Sequence, residues 1–389
     1  MKEYYADFHI HIGRTRSGKA VKITGAKTLT FSNIIEVASE RKGLDMIGVI
    51  DCHSPEVIEE IEAGIHNGEI TEMEGGGLHY RNLTIIPGSE IEIYDHNCHG
   101  PIHVLAYFPN MEVMKRFSSW MSNYVKNITL SSQRIYCDGR KLQEIVKSLG
   151  GLFIPAHVFT PFKSLYGKGV KESLAEVFDP KLIDAIELGL SSDTYLVEDI
   201  KELKSYTFLT NSDAHSLGKI AREYQMLLLQ EPSFTELEKA LKEEEGRKVT
   251  ANYGLNPLLG KYYQTVCGSC LHKMAINAEA CSECGGKKVI KGVSTRIAEL
   301  SVSGKGEEKR SRPQYIHQVP LDFIPGLGPK SMDRLLGAFG TEMNILHEVT
   351  LEQLSEVVPL KLAHFIDSAR KGILGFDAGG GGKYGKVKM

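Results

Sequence analysis

Through about residue 230, short apolar runs alternate with amphipathic stretches. The runs 5–10, 46–50, 83–87, 102–107, 152–155, 183–188, 207–209 and 226–229 read as strands. Between them lie helix-like segments such as "SNIIEVASERKG", which opens on Ser and closes on Gly. This alternation predicts an α/β fold built on a parallel sheet or a barrel, with function gathered at the carboxyl ends of the strands. "SFTELEKALKEEEG" closes the unit and "NYGLNPLLGKYY" leads out of it, so residues 1–250 form the first domain. A cysteine module (251–290), a basic linker (291–313), a helical region (314–373) and a flexible Gly-rich tail (374–389) are expected to follow.

Composition changes this picture little. With 42% hydrophobic residues and a formal net charge of -3, the chain reads as an ordinary soluble protein. It has no apolar run of membrane-spanning length, and "MKEYYADF" enters a strand without a secretory leader, so a cytoplasmic location is expected. Charge distribution says more. Residues 285–313 hold eight Lys/Arg against three Glu, and the tail after Ser368 holds five against one Asp.

Ten of the fourteen histidines fall within residues 9–215. His9 and His11 close the first predicted strand, on one face of it because positions two apart share a face. Asp51 and His53 close the second, Glu90 follows the third, and His103 lies on the fourth. His157 follows the fifth, and Asp213 and His215 follow the seventh. Imidazole and carboxylate are the ligand set of Zn, Mn or Fe. Their repeated placement at strand ends predicts a cluster of divalent ions at one mouth of a barrel. His96 and His99 in "YDHNCHG" read as loop residues.

The order HxH, Asp/His, Glu, His, His and DxH is similar to that of the PHP (polymerase and histidinol phosphatase) metallophosphoesterases. The resemblance covers residues 1 to about 230 and implies a distorted (β/α)7 barrel. It also implies that His9, His11, Glu90 and Asp213 hold one metal, that His53 and His215 bind a second, and that Glu90 with His103 and His157 binds a third. Two or three divalent ions (Zn²⁺, Mn²⁺ or Mg²⁺) are therefore expected, with Glu90, Asp213 and His215 at the reacting centre. The sequence departs from the family in reading "IDCHS" around Asp51 and in lacking a histidine soon after HxH. Clustered divalent ions supply hydroxide near neutral pH and clamp a phosphate ester, so no Ser or Cys nucleophile is required.

"GRTRSGKA" (13–20) nearly fits a nucleotide-binding loop, but Ala20 stands where the Mg²⁺-ligating hydroxyl belongs and no helix-forming run follows. Arg14, Arg16 and Lys19 are better read as contacts to a phosphate backbone beside the metal mouth. "CGSC" and "CSEC" place Cys267, Cys270, Cys281 and Cys284 in the CxxC-x10-CxxC spacing of one structural zinc. "FIPGLGPKSMDRLLGAFG" (323–340) resembles the helix-hairpin-helix of DNA repair proteins. There the turn at 325–328 would aim backbone N–H groups at a DNA phosphate, with Lys330 and Arg334 beside it.

A PHP-like barrel followed by a four-cysteine module resembles the endonuclease Q family across most of the chain. That resemblance implies a DNA repair endonuclease cutting on the 5′ side of deaminated bases (uracil, hypoxanthine, xanthine) and at abasic sites, with damaged DNA as partner. A small-molecule phosphatase or a non-catalytic DNA-binding protein are the alternatives. Flipping the damaged nucleotide toward the metals would need polar readers, for which Asn211 and Ser191 are the expected residues.

Overall fold

The computed structural model describes residues 1–275, 278–301, 310–379 and 383–388. Linker residues 302–309 and part of the Gly-rich tail (380–382 and 389) lie outside the described residues.

Seven strands among the described residues enclose the first domain: β1 (Lys2–Ile10), β2 (Met46–Val49), β3 (Leu83–Ile93), β4 (Ile102–Tyr107), β5 (Leu152–Pro155), β6 (Ile186–Glu187) and β7 (Phe208–Leu209). β1, β2 and β3 run parallel. β4 is antiparallel to both β3 and β5, a reversal that strand–helix alternation did not anticipate. β6 and β7 pair in parallel. Backbone bonds from Val158 to Glu187 and from Asp184 to Phe153 join β5 to β6, and a bridge between Ile10 and Ala214 returns the far side to β1. The result is a closed, irregular barrel whose inner strands are buried on both faces, as continuous apolar runs require.

The expected break at Pro87 is not an end. β3 runs through it to Ile93, so Glu90 lies inside the strand rather than after it. Pro87 sits opposite Val49, at the last β2 pair before β3 takes β4 as its partner, a place where a missing N–H costs little.

Beyond the barrel, β8 (Tyr224–Leu229) pairs with the first half of β1, β9 (Lys248–Gly254) with β8, and β10 (Gln314–His317) with β9. The region expected to be helical therefore opens with a strand of the main sheet. Helix Val293–Leu300 stands where a linker was expected, because Arg296 donates to the Tyr166, Val170 and Lys171 carbonyls of the barrel. In the tail, strands Gly375–Asp377 and Lys386–Lys388 form an antiparallel ribbon held to Leu258 and Leu259 by backbone bonds, where a flexible segment was expected. Among the described residues, no helix is long and apolar enough to cross a membrane.

Candidate metal centre and active-site cleft

β1 presents His9 and His11 on its inner face, where both are fully buried. Each ring is anchored through Nδ1: His9 to Glu187 at 2.9 Å, and His11 to Asp51 at 3.0 Å. Their Nε2 atoms converge on two carboxylates. His9 Nε2 lies 3.5 Å from Glu90 and 3.4 Å from Asp213, and His11 Nε2 lies 3.6 and 3.5 Å from the same pair. Glu90 also meets His103 Nδ1 at 2.8 Å and His157 Nε2 at 3.4 Å. His215 stands over His11, ring centroids 4.6 Å apart. The donor groups His9–His11–Glu90, His11–Asp213–His215 and Glu90–His103–His157 are each compact enough to hold one ion.

The side chains fit a metal on physical grounds. The Nε2 atoms of His9 and His11 are buried without a hydrogen-bond partner. A buried polar atom in that state is costly unless something occupies its lone pair. Nδ1 bonds to a carboxylate are also the usual support of a metal-ligating histidine, fixing the tautomer and leaving Nε2 as the donor. Charge agrees. Burial alone would push the Glu90 carboxyl up, but His103 and Lys22 hold it well below the ordinary range. Asp213 is held down against burial by His9, His11 and His215. Burial pushes the His215 imidazole down to about 4, so it is neutral near pH 7. Backbone strain concentrates here too, since His157 and Asp213 take positive φ (32° and 45°), which few non-glycine residues adopt. Gly189 permits the first of these, because a Cβ there would press on His157.

The structure assembles seven of the eight expected barrel ligands and leaves one out. His53 does not join them. Its Nδ1 faces the Ser89 hydroxyl at 2.9 Å and its Nε2 the Leu130 carbonyl at 3.3 Å, so neither nitrogen is free. Asp51 reaches the cluster instead, as the support of His11. Glu187 was missed by sequence reasoning, being one of two carboxylates, with Asp184, in the apolar stretch "IDAIELGL"; nothing local distinguished it.

A cleft of about 460 Å³ opens over Glu90, His103, His157, Asp213 and His215. Arg14, Arg16 and Lys19 do not line it. Arg14 folds back to the Gly13 carbonyl, the Arg16 backbone N–H donates to Glu60, and Lys19 pairs with Glu56 at 2.9 Å. The basic residue of this loop that reaches the cleft is Lys22. Asn211 and Ser191 are not at the cleft either. Asn211 spends its amide on Phe8 N, Gln225 and Glu187, and Ser191 is buried against Gly260. Asn211 helps build the floor under the ligands through Glu187, and neither residue lines the cleft.

The four cysteine sulfurs gather within 4.8 Å of one another, with 3.6 Å between Cys267 and Cys284 and between Cys270 and Cys281. That spacing is far beyond a disulfide bond and close to the edge of a zinc–thiolate tetrahedron. In the C-terminal region, helix Pro329–Phe339 follows the turn at 325–328, with Lys330 and Arg334 exposed. The region is docked on the barrel through buried Lys42–Glu342 (2.7 Å) and through His347, which stacks on Tyr5 and meets the Tyr224 hydroxyl.

No family model matches the chain. It is 58% identical over 388 residues to the uncharacterized protein YqxK of Bacillus subtilis (strain 168), covering all of both chains. Uncharacterized protein MJ0043 of Methanocaldococcus jannaschii is 36% identical over 255 residues, 59% of this chain and 31% of that one. The lesion-specific endonuclease PfuEndoQ of Pyrococcus furiosus superposes over the whole chain and 96% of its own, with a TM-score of 0.85 and 30% identity. The chain belongs to the endonuclease Q family. An endonuclease Q structure in complex with a 27-mer duplex carrying an abasic lesion at its active site matches equally well, at a TM-score of 0.84 and 30% identity. Both likenesses cover the whole chain, so they run past the barrel through the segments that carry the cysteine module and the C-terminal helices.

Proposed function

We propose that this protein is a metal-dependent DNA endonuclease that hydrolyses the phosphodiester on the 5′ side of deaminated bases (uracil, hypoxanthine, xanthine) and of abasic sites. One observation carries the reading: a cleft over Glu90, His103, His157, Asp213 and His215, with His9 and His11 buried beneath, in a chain alike over its whole length to an endonuclease Q bound to lesion-containing duplex. Divalent ions held there would lower the pKa of a coordinated water and neutralise charge on the phosphate. The chain's own groups do the rest. Glu187 and Asp51 lock the two β1 imidazoles as Nδ1–H donors, so Nε2 faces inward. Glu90 and Asp213 keep the floor negative, and neutral His215 offers a lone pair at its rim.

On this reading the cleft acts on one nucleotide at a time and not on a stacked, paired duplex. The target nucleotide must be extruded, which costs least where pairing is already weak. The exposed Lys330 and Arg334 suit contact with the sugar-phosphate backbone, and the four-cysteine module suits one structural Zn²⁺. We place the protein in the cytoplasm, on nucleoid DNA.

Labelled duplexes carrying one deoxyuridine, deoxyinosine, abasic site or normal base test the reading. Expected is a Mn²⁺- or Mg²⁺-dependent nick immediately 5′ of the lesion, with a 3′-hydroxyl, absent after chelation and in Asp213→Asn. Equal cutting of undamaged duplex, or cutting on the 3′ side, rejects it.

A further inference from the structure

Two lysines line the cleft, and they differ in kind. Lys163 is half-exposed at the rim and paired with Glu92. Lys22 is nearly buried, its Nζ 3.1 Å from Glu90 Oε2 and 2.6 Å from Ser132 Oγ. Its backbone is held by a bond to the Ile12 carbonyl and a turn closed by Gly25 N, so the side chain enters the cleft from a fixed base. Glu90 thereby has two unlike sides. Oε1 serves His9, His103 and His157, whereas Oε2 faces Lys22, Ser132 and His11. An ammonium carries three N–H donors. Two are placed, and the third has no partner among the described residues, in a side chain that lines the open cleft.

We infer that Lys22 is a catalytic residue: its third N–H donates to a non-bridging oxygen of the scissile phosphate, and its fixed charge offsets the charge gathering there as the bond to the leaving oxygen breaks. This rests on the proposed phosphodiesterase reading. In the step, a water oxygen forms a bond to phosphorus and releases its proton to solvent. The P–O3′ bond breaks with its electron pair remaining on O3′, which takes up a proton from solvent. Lys22 transfers no proton and remains an ammonium. A preorganised donor of this type aimed at developing oxyanion charge contributes about 10²–10³-fold in kcat. The bland alternative is a counter-ion that merely holds Glu90 in place, in which case removing it disturbs the metals.

The two are separated by measuring Lys22→Met and Lys22→Arg for abasic-duplex cleavage, for hydrolysis of bis(p-nitrophenyl) phosphate, for bound metal by elemental analysis, and for melting temperature. Expected for Lys22→Met is a fall in kcat of about 10²–10³-fold, with KM within about threefold, metal content as in wild type and a wild-type melting curve. Lys22→Arg should retain more activity than Lys22→Met, and ethylammonium should partly rescue Lys22→Ala. Loss of metal together with activity, or kcat in Lys22→Met above one-third of wild type, overturns the inference. If wild type fails to cut the abasic duplex, the functional reading fails by itself. A parallel loss on the small diester would then still uphold Lys22.

Discussion

Glu187→Gln removes one negative charge from beneath the metal centre while keeping the shape of the side chain. In the native protein, Oε1 accepts from His9 Nδ1 at 2.9 Å and from Asn211 Nδ2 at 2.8 Å. Oε2 accepts from the backbone N–H of His157 at 2.8 Å. A glutamine can keep its oxygen toward His9 and Asn211, but its amide nitrogen then faces the His157 N–H, donor against donor. One buried donor goes unpaired, at about 1–3 kcal/mol of stability. His9 also loses the carboxylate that orients its ring and raises its basicity, which typically lowers metal affinity about 10–100-fold, or about 1.4–2.7 kcal/mol. The assay is titration of metal-stripped protein with Mn²⁺ against a chelator of known affinity, because thiolates compete poorly for this ion and the cysteine module stays silent. Melting curves of the stripped proteins give the stability separately. Expected are a weaker Mn²⁺ midpoint by one to two decades and a melting temperature lower by several degrees. Unchanged Mn²⁺ affinity would refute the view that Glu187 supports a ligand.

Glu223 is buried with Oε1 on Leu255 N and Oε2 unpartnered, and burial pushes its carboxyl up to about 8. Because the folded value lies above the unfolded one, this contribution to stability is complete at low pH and is lost as pH rises from about 4.5 through 8; the slope is about 1.4 kcal/mol per pH unit. Urea melts of Glu223→Gln should therefore lose about 3 kcal/mol less than wild type between pH 5 and 7.5, and parallel curves would remove Glu223 as the source. Replacing Lys330 and Arg334 by Ala should weaken binding of abasic duplex and lower the slope of log Kd against log salt by about two. Hydrolysis of bis(p-nitrophenyl) phosphate should be unchanged, and a parallel loss there would make the hairpin part of the barrel's packing.

Much of the site could be read from the sequence because its ligands come from short local patterns. HxH on a strand forces both rings to one face, and CxxC pairs meet because four residues of turn bring two sulfurs together. Strand positions 102–107 and 152–155 agree with the observed β4 and β5 because apolar runs of that length have few other uses. What sequence could not supply was pairing. β4's reversal, β10's addition to the far edge of the sheet and the tail ribbon depend on long-range backbone bonds that no local pattern encodes.

The same division runs through the site. Residue type and spacing determined which side chains could bind metal, and the chain's own order placed them at strand ends. Only tertiary structure decided which atoms were left over to do it. His53 and His103 look alike in sequence, yet Ser89 and Leu130 occupy both nitrogens of one, while the other turns Nδ1 onto Glu90 at the heart of the cluster. Asn211 looked like a base reader until Phe8, Gln225 and Glu187 were seen to take its amide, and Lys22 looked like nothing until its ammonium was found against Glu90. A hydrogen-bonding group can serve a ligand only with the bonds its own protein has not claimed. Those claims are made by residues as much as 203 positions away.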